Sequence, residues 1–519
     1  MQTISELLRA RAEDSGSRIF CSFRGQRMTF SQLLDGVRTM AGALAEAGVK
    51  PGDRVGYMLG SSIEHIQLFL AASWMGAMAV PFSIHLKTAG VELQLNSCTP
   101  RLLVANRAYA GSVRQALALV PQRPQVVWLE DGNQQDGEFD LNGLLRTSRP
   151  LRTAAPRSLD DAVAISYTSG TTGAPKGGVL SECWYWVGAK NTAILSEAHR
   201  DDTFFLWEPF YHIAAWMTVM MALHKGLSIH MVERFSASRL WDQIAEARAT
   251  KLHYLGGLVN IMLSHPVVEN ERNNGISIAW GGGCPAESWR KLEERFELRV
   301  REGYGLTEGQ NFTHMNLHGV VGSVGTPVEE FESWINDDEG KRVGPGVVGE
   351  IVLKPKIAGV TMSGYFGEPE KTAQVLRADG CVYTGDTGMV DQDGNYYFKG
   401  RKKDALRRRG ENVSAWEVER VLNTAPGVEE SAVIGVASPL GDQDILAVIK
   451  QREGFEPNPL EIAKFCGERL AYYQVPRFIQ FVTEFPRGPT QRIKKGEIQV
   501  DLQNAWDAEQ AGYKPARTA

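Results

Sequence analysis

The sequence predicts an α/β fold: a large N-terminal domain of helix-covered sheets with a β-rich subdomain, followed by a small α+β C-terminal domain. Helical and strand patterns alternate up to about residue 260, which is typical of parallel sheets covered by helices. Beyond Val320, glycines and short β-branched runs indicate antiparallel strands joined by tight turns. A basic run from Arg401 leads into a compact α+β pattern. We therefore place the domain boundary near residue 402, between domains 1–402 and 403–519.

Single segments support this assignment in chain order. Residues 29–46 carry apolar residues at spacings of three and four, which predicts an amphipathic helix. A turn follows and leads into a short buried strand at 55–59, and the apolar run 68–82 indicates a buried helix that continues into a strand. Later segments predict strands within 349–355 and 394–400, and helices near 415–424 and 459–471.

Length and composition exclude several classes of protein. At 519 residues the chain exceeds the usual size of one hydrophobic core, so we expect at least two domains. A net charge of −5 argues against bulk nucleic-acid binding, which requires a clear basic excess. The 12 Trp, 20 Phe and 14 Tyr are too many apolar groups for an intrinsically disordered chain.

Membrane insertion and disulfide bonding are not expected. The apolar run 68–82 is too short to cross a bilayer and contains Pro81. Charges within residues 1–15 do not fit a signal peptide and predict a cytoplasmic protein. The cysteines lie far apart with no CxxC pair, so we expect reduced, mostly buried thiols rather than disulfides or a zinc site. They are Cys21, Cys98, Cys183, Cys284, Cys381 and Cys466.

The sharpest local signal is the segment 167–176, YTSGTTGAPK, which follows an apolar run and is predicted to leave the end of a strand. Glycines let backbone N–H groups approach an anion closely, hydroxyl groups add donors, and a lysine offers a point charge. The pattern predicts a loop that binds nucleotide phosphates, and the alternative is a flexible Ser/Thr/Gly surface loop. No Walker A sequence occurs. The candidate residues are Thr168, Ser169, Gly170, Thr171, Thr172, Gly173 and Lys176.

With this loop, the sequence resembles the adenylate-forming superfamily, in its acyl-CoA synthetase branch. The loop matches the family signature [ST]SGTTGxPKG, and further family motifs follow in the expected order along nearly the whole chain. They are His212 in EPFYH, Gly281 to Gly283 before CP, Tyr304 to Glu308 (YGLTE), Gly349 to Ile351, YTGD ending at Asp386, GRKKD ending at Asp404, Gly410 to Asn412, and LAYYQVPR ending at Arg477.

The resemblance implies an ATP-dependent acid–CoA ligase. A carboxylate joins the α-phosphate of ATP and expels pyrophosphate, and the acyl group then passes from AMP to the thiol of CoA. ATP, Mg²⁺ and CoA are the expected cofactor and co-substrates, and a small carboxylic acid is the expected partner. Because the first step brings an anion onto a polyanion, cations and oriented dipoles must offset the repulsion.

The resemblance also implies roles for single residues. Lys176 would hold the β- and γ-phosphates, and Glu308 would be a Mg²⁺ ligand, which suits a hard cation. His212 would lie at the entry of the carboxylate. The expected nucleotide contacts are Asp386 and Arg401 for the ribose, Tyr304 for one face of adenine with Gly282 and Gly283 along the other, and Gly305 and Thr307 of the same motif.

The acid pocket is expected to be lined by segments 207–217, 255–257 and 310–314, which are rich in aromatic residues and Met. They predict an apolar acyl group, although amide or imidazole side chains could contact a polar function. Acids such as crotonobetaine or carnitine, fatty acids, and alicyclic or steroid-derived acids stay open. The candidate pocket residues are Trp207, Tyr211, Trp216, Gly256, Gln310 and Asn311, with His314 nearby.

Six basic residues lie within residues 401–409. They indicate a rim for the phosphates of CoA, and the alternative is a solvated face. The set is Arg401, Lys402, Lys403, Arg407, Arg408 and Arg409. By resemblance, Asp404 is the hinge about which a mobile C-terminal domain rotates, and Arg409, Gly410 and Glu411 face the pantetheine tunnel.

One departure from the family pattern lies near the C-terminus. The family motif PxTxTGKI has a lysine that contacts the reacting groups, and ungapped alignment places Arg492 there. Arginine keeps the charge but differs in shape and reach. Either Arg492 substitutes for that lysine, or Lys494 or Lys495 does so, or adenylation is weaker. The further alternative is that all three residues are exposed charges without a role in the reaction.

Three rival functions stay open. The protein could load a carrier protein instead of CoA, or oxidise its acyl-adenylate as luciferases do. A non-catalytic nucleotide-binding homologue is the third, motivated by Arg492. The oligomeric state is open between a monomer and a homodimer.

Overall fold

The computed structural model describes residues 1–129, 139–168, 175–272, 274–402, 405–408, 411–438, 443–470, 472–488 and 492–515. Internal contacts divide these residues into two units. The first unit comprises Met1–Thr168, Pro175–Ser333 and Leu353–Thr384, and the second contains Trp334–Val352 and the described residues from Gly385 onward. The domain boundary near residue 402 stays a prediction.

The helices of the described chain are mostly short and amphipathic or buried. They are α1 (Ile4–Ser15), α2 (Phe30–Glu46), α3 (Ile63–Trp74), α4 (Thr88–Cys98), α5 (Ala110–Leu119), α6 (Leu141–Thr147), α7 (Glu182–Leu195), α8 (Ile213–Lys225), α9 (Leu240–Ala247), α10 (Gly256–Ser264), α11 (Ala286–Phe296), α12 (Pro369–Val375), α13 (Ala415–Leu422) and α14 (Pro459–Gly467).

The strands form sheets in both units. They are β1 (Ile19–Phe23), β2 (Gln26–Thr29), β3 (Arg54–Met58), β4 (Met78–Pro81), β5 (Leu102–Asn106), β6 (Gln125–Leu129), β7 (Phe139–Asp140), β8 (Ala162–Thr168), β9 (Lys176–Ser181), β10 (Thr203–Leu206), β11 (Ser228–Met231), β12 (Lys251–Leu255), β13 (Ile278–Gly282), β14 (Arg299–Tyr304), β15 (His314–Asn316), β16 (Thr326–Pro327), β17 (Phe331–Asn336), β18 (Arg342–Val343), β19 (Gly349–Pro355), β20 (Gly364–Tyr365), β21 (Val382–Val390), β22 (Tyr396–Arg401), β23 (Ala405–Arg408), β24 (Glu411–Ser414), β25 (Val428–Ala437), β26 (Gln443–Gln451), β27 (Phe478–Val482) and β28 (Trp506–Asp507).

The first unit is built on two large mixed sheets. One has the strand order β16-β15-β14-β13-β12-β10-β11-β1-β2, in which the six strands from β14 to β1 are parallel to one another. Leu252, Ala279 and Val300 on three of these strands are fully buried, as expected for strands with both faces covered. The predicted α/β class with parallel, helix-covered sheets is confirmed.

The second large sheet has the order β20-β9-β8-β4-β3-β5-β6-β7 and is parallel from β8 to β7. The helix predicted over 29–46 begins at Phe30, because the Thr29 side chain accepts a hydrogen bond from the Gln32 N–H in a capping box. The predicted strand 55–59 is β3, and the apolar run 68–82 covers the end of α3 and β4.

The second unit holds most of a five-stranded sheet of order β18-β17-β19-β21-β22, which contains both predicted strands of the β-rich region. A four-stranded sheet, β25-β26-β27-β28, lies in the C-terminal part. The two helices predicted there are α13 and α14. Their apolar faces share one buried cluster with the sheet, which includes Val418, Leu422, Ile445, Ile462 and Cys466.

Two further expectations concern cysteines and membranes. All six cysteines are buried and free, as predicted. Within the described ranges, no helix combines the length and the apolar character that crossing a bilayer requires.

Candidate active site

The predicted phosphate loop joins β8 to β9, which are antiparallel neighbours in the sheet. Thr168 ends β8 and lies opposite Lys176 in the register, and its hydroxyl donates to the Lys176 carbonyl over 3.5 Å. The two ends of the loop are therefore held together by the sheet. Loop residues Ser169, Gly170, Thr171, Thr172 and Gly173 lie outside the described residues.

Lys176 and Glu308, 132 positions apart in the sequence, meet at one tyrosine in the first unit. The Tyr365 hydroxyl donates to Oε1 of Glu308 over 2.5 Å. The Lys176 ammonium lies 4.9 Å from the centroid of the same ring. Glu308 and Lys176 are both half-buried, whereas Tyr365 is 6% exposed. The predicted phosphate lysine and the predicted metal ligand thus both contact the side chain of Tyr365.

The glycine segment after β13 is held by a buried carboxylate that sequence reasoning missed. Glu302 accepts hydrogen bonds from the N–H groups of Gly283, at 2.5 Å, and Cys284, and from the hydroxyl of Tyr254. Gly283 has φ +87°, and a Cβ on Gly281 would stand 1.9 Å from the Tyr254 carbonyl oxygen, so side chains are excluded there. Burial raises the pKa of Glu302 to about 8, against the lowering effect of these three donors.

The YGLTE motif begins at the end of β14. Tyr304 is buried, its carbonyl accepts from the Thr313 N–H at 2.7 Å, and its ring centroid lies 5.6 Å from that of His314. Burial lowers the pKa of His314 to about 3, so this imidazole is neutral at pH 7. Gly305 and Thr307 follow as half-buried residues of the turn before Glu308.

Residues 207–212 place aromatic groups near the predicted carboxylate entry. Trp207 is half-buried, and its indole N–H donates to the His253 carbonyl at 2.9 Å. The buried side chains of His253 and Glu208 are hydrogen-bonded to each other. His212 is half-buried at the N-terminus of α8, and burial raises the pKa of its neighbour Tyr211.

The other predicted pocket residues have protein partners. Trp216 is 1% exposed and stacks on Phe69 with ring centroids 3.8 Å apart. Gln310 is fully buried and donates to the Trp184 carbonyl at 3.0 Å. The Asn311 amide donates to the Thr192 hydroxyl at 3.2 Å. Gly256 is the first residue of α10. Their roles toward an acid stay predictions.

In the second unit, the two predicted ribose contacts are direct neighbours. Asp386 on β21 lies opposite Arg401 on β22, and the Arg401 Nε is 3.1 Å from the Asp386 carboxylate. Asp386 is 2% exposed. Beside them, the Gly385 N–H donates to Glu350 at 3.0 Å, and Glu350 also pairs with Lys402. Acceptor and donor groups are therefore held in a fixed arrangement on two strands.

One member of the predicted basic rim is part of the C-terminal core instead. Arg408 is 5% exposed and pairs with Asp444, and its guanidinium donates to the carbonyls of Tyr473 and Val475. The expectation that all six basic residues present a face to phosphates is wrong for Arg408. The physical reason is strand alternation, which turns this side chain of β23 inward, where a buried carboxylate and carbonyls satisfy it.

The three candidate cations near the C-terminus lie on and after a hairpin. The Gly488 N–H donates to the Arg492 carbonyl and the Lys494 N–H to the Pro486 carbonyl, each at 2.8 Å. Arg492 is exposed. Lys494 pairs with Glu497 at 2.7 Å, and Lys495 with Glu419 of α13 at 2.6 Å.

Mg²⁺ fits the chemistry of the first unit. Across the described residues, no cluster of three or more His, Cys, Asp or Glu side chains could hold a metal ion. Glu308 offers a single carboxylate, whose Oε1 is oriented by Tyr365. Mg²⁺ is commonly held by one or two carboxylates together with substrate phosphates, so one oriented glutamate suits it.

Four predicted residues near the basic run lie outside the described residues. They are Lys403, Asp404, Arg409 and Gly410. The backbone of Glu411 starts β24 and lies opposite Arg408 in the β23–β24 hairpin.

Comparisons with known proteins agree with these motifs. The family of AMP-binding enzymes matches residues 8–366, and the AMP-binding enzyme C-terminal domain matches residues 417–492. The 2-succinylbenzoate–CoA ligase of Geobacillus kaustophilus (strain HTA426) is 30% identical over 505 residues, which cover 96% of this chain and 98% of that protein. The crotonobetaine/carnitine–CoA ligase of Salmonella typhi is 27% identical, covering 93% and 96%.

A solved structure extends the likeness to three dimensions. The crystal structure of the anthranilate CoA ligase AuaEII in complex with anthranoyl-AMP superposes with a TM-score of 0.87 at 26% identity, covering 95% of this chain and 96% of that one. The family model spans more than half of the chain, and a relative 30% identical covers nearly all of it. The chain therefore belongs to the AMP-binding enzyme family, as its motifs predicted.

Proposed function

We propose that this protein activates an aromatic or similarly apolar carboxylic acid and transfers it to CoA. The reaction class is ATP-dependent, AMP-forming acid–CoA ligation, as in the similar CoA ligases. The observation that carries the proposal is the convergence of Lys176 and Glu308 on Tyr365, next to the ends of the phosphate loop. A cation and a carboxylate held close together support a site that binds a triphosphate with Mg²⁺.

The first half-reaction joins two anions. An oxygen of the acid forms a bond to the α-phosphorus of ATP, and the bond from that phosphorus to pyrophosphate breaks. In our proposal Lys176 and the loop amides bind the β- and γ-phosphates, and Glu308 is the protein ligand of Mg²⁺. When bound, Mg²⁺ supplies positive charge to the phosphates. Asp386 and Arg401 bind the ribose.

The second half-reaction moves the acyl group. The CoA sulfur forms a bond to the acyl carbon, and the bond from that carbon to AMP breaks, so AMP leaves. We propose that Asp404 is the hinge between the two half-reactions, and that Arg409, Gly410 and Glu411 face the pantetheine arm. Arg408, which the sequence predicted in the basic rim for the phosphates of CoA, has no role in this proposal because it is buried in the core of the C-terminal part.

Two observations support an aromatic or apolar acid. Trp207 and Tyr211 are half-buried aromatic residues of the segment that ends at His212, the proposed entry of the carboxylate. The relatives include ligases for 2-succinylbenzoate and anthranilate, both of which are aromatic acids. A flat apolar group packs well against aromatic side chains.

A panel of acids tests the proposal. Anthranilate, benzoate, 2-succinylbenzoate, crotonobetaine, carnitine, fatty acids and a steroid acid are incubated with ATP, Mg²⁺ and CoA. Pyrophosphate, AMP and acyl-CoA are then measured. We expect acid-dependent AMP release that needs CoA, fastest with an aromatic acid. Product only with a carrier protein or with oxygen, or ATP binding without turnover, would support the rival functions. A preference for carnitine would overturn the acid class alone.

The terminal cation is tested by separating the half-reactions. We propose that Arg492 replaces the family's lysine, because ungapped alignment places it there. Arg492→Ala should slow acyl-AMP formation while sparing CoA transfer from supplied acyl-AMP. Lys494→Ala and Lys495→Ala are the matched variants, and a selective defect in one of them would move the role to that lysine. If all three variants adenylate normally, no cation of this segment serves.

Location and assembly follow as smaller proposals. ATP and CoA are the expected co-substrates, and both are cytoplasmic metabolites, so we propose that the protein works in the cytoplasm. We also propose a homodimer, for which sedimentation velocity is the direct test.

A further inference from the structure

The segment 362–366, which contains β20, lies between the two charged residues of the proposed triphosphate site. Its Met362 N–H donates to the backbone carbonyl of Glu308 at 3.2 Å. On β9, the strand that begins at Lys176, the Gly177 carbonyl accepts from the Phe366 N–H at 2.8 Å. The segment therefore binds the backbone beside both charged residues.

Tyr365 itself is fixed in this segment. Its N–H donates to the Thr372 hydroxyl at 2.8 Å, and that hydroxyl donates to the Glu368 carbonyl at 2.8 Å. The preceding Gly364 has φ +140°, and a Cβ there would meet the Thr372 side chain at 2.9 Å. The chain can present the tyrosine in this orientation because glycine precedes it.

The side chain of Tyr365 then uses its two parts on two different partners. The hydroxyl donates to Oε1 of Glu308 over 2.5 Å, which commits one carboxylate oxygen and fixes the plane of the group. The ring face attracts the Lys176 ammonium at 4.9 Å. An aromatic ring is only a weak hydrogen-bond acceptor, so this contact leaves N–H donors of the ammonium for phosphate oxygens.

We propose that Tyr365 is a positioning residue that aligns the Mg²⁺ ligand and the phosphate lysine with each other. The hydroxyl orients Glu308 toward the metal, and the ring holds Lys176 toward the phosphates. This inference rests on the proposed function, because the roles of Glu308 and Lys176 belong to it. It adds a residue that contacts neither the substrate nor the metal and that acts through Glu308 and Lys176.

Two variants of the full-length protein separate the two parts of the side chain. Tyr365→Phe removes the hydroxyl and keeps the ring, whereas Tyr365→Leu removes both. ATP binding is measured by calorimetry with Mg²⁺ and with EDTA, and pyrophosphate release is measured as a function of Mg²⁺ concentration. The matched control is Tyr397→Phe, which removes a hydroxyl that donates to the Asp391 carboxylate at 3.1 Å in the second unit.

For Tyr365→Phe we expect about tenfold more Mg²⁺ for half-maximal ATP binding, with unchanged ATP affinity in EDTA. Tyr365→Leu should weaken ATP binding in EDTA as well, and Tyr397→Phe should change neither quantity. If Tyr365→Phe keeps the wild-type Mg²⁺ dependence, or if both variants only lower the melting temperature, the inference is wrong. If the wild-type protein binds no ATP, the proposed function itself fails.

Discussion

Lys176 and Glu302 are ionisable residues of the first unit that differ in their exposure to solvent. Lys176 is half-buried at the start of β9, beside the face of an aromatic ring. Glu302 is enclosed and accepts from two backbone N–H groups and a hydroxyl. An accessible ammonium can serve a substrate, whereas an enclosed carboxyl group orders the backbone around it.

Replacing Lys176 by alanine should lower kcat for acyl-AMP formation about 100-fold or more, because a cation that offsets phosphate repulsion is lost. The melting temperature should change little, since the side chain is only half-buried. The control is Lys356→Ala, which removes an exposed lysine of the same unit. Equal kinetics in the two variants would remove Lys176 from the proposed mechanism.

Glu302 should make stability depend on pH. Its pKa rises from an ordinary 4.5 to about 8 in the folded protein, so between these values only the folded state holds the proton. This contribution to stability is complete below about pH 4.5 and is lost as the pH rises to about 8.

Glu302→Gln cannot titrate and serves as the reference. As the pH rises from about 4.5 to about 8, the free energy of unfolding of the wild type, minus that of the variant, should therefore fall by up to roughly 1.4 kcal/mol per pH unit. Urea unfolding followed by tryptophan fluorescence at about pH 5.5, 6.5 and 7.5 measures the difference. Parallel pH profiles would show that Glu302 does not titrate there.

At the scale of elements, the strand that carries a basic residue decides which partners its side chain meets. Residues 401–409 read as one positively charged run in the sequence. In the structure, Arg401 on β22 forms an ion pair with Asp386 on the neighbouring strand β21. Arg408 on β23 instead pairs with Asp444 inside the C-terminal core. Residues of one run thus belong to different sites because they lie on strands of different sheets, β22 and β23.

Arg408→Ala should destabilise the C-terminal part by about 3–5 kcal/mol, because it leaves the buried Asp444 without one of its cations. Thermal unfolding measures the effect. Arg469→Ala, which removes a half-exposed partner of Glu468, should change stability by less than about 1 kcal/mol. A stable Arg408→Ala protein with only weaker CoA binding would restore Arg408 to the basic rim.

At the scale of the whole molecule, residues with proposed roles occur in each of the two units. The first unit holds Lys176 and Glu308, and the second holds Asp386, Arg401 and Arg492. In the proposed mechanism, rotation about Asp404 moves only the residues that follow it, so of these residues Arg492 alone changes place between the half-reactions.

The hinge proposal predicts a selective defect. Proline fixes φ near −65°, so Asp404→Pro should restrict rotation at this position. We expect acyl-AMP formation to persist while CoA transfer from supplied acyl-AMP is lost, as followed by pyrophosphate release and by acyl-CoA formation. Asp404→Ala, which leaves φ free, is the control and should retain both steps. Equal loss of both steps in the proline variant would argue against a hinge here.

The sequence by itself determined the fold class and the family. Periodicity located α2, β3, α13 and α14 to within a few residues, since apolar spacing directly reflects which face is buried. The phosphate loop was found because its glycines, hydroxyls and lysine are adjacent in the chain. Local chemistry at contiguous positions is visible without coordinates.

Only the tertiary structure decided how distant residues combine. Tyr365 and Glu302 carried no local signal, because their importance comes from partners far along the chain or from enclosure. Arg408 read as a surface charge until its pairing with Asp444 was known. Burial and long-range pairing depend on how the sheets pack, and no window of sequence contains that information.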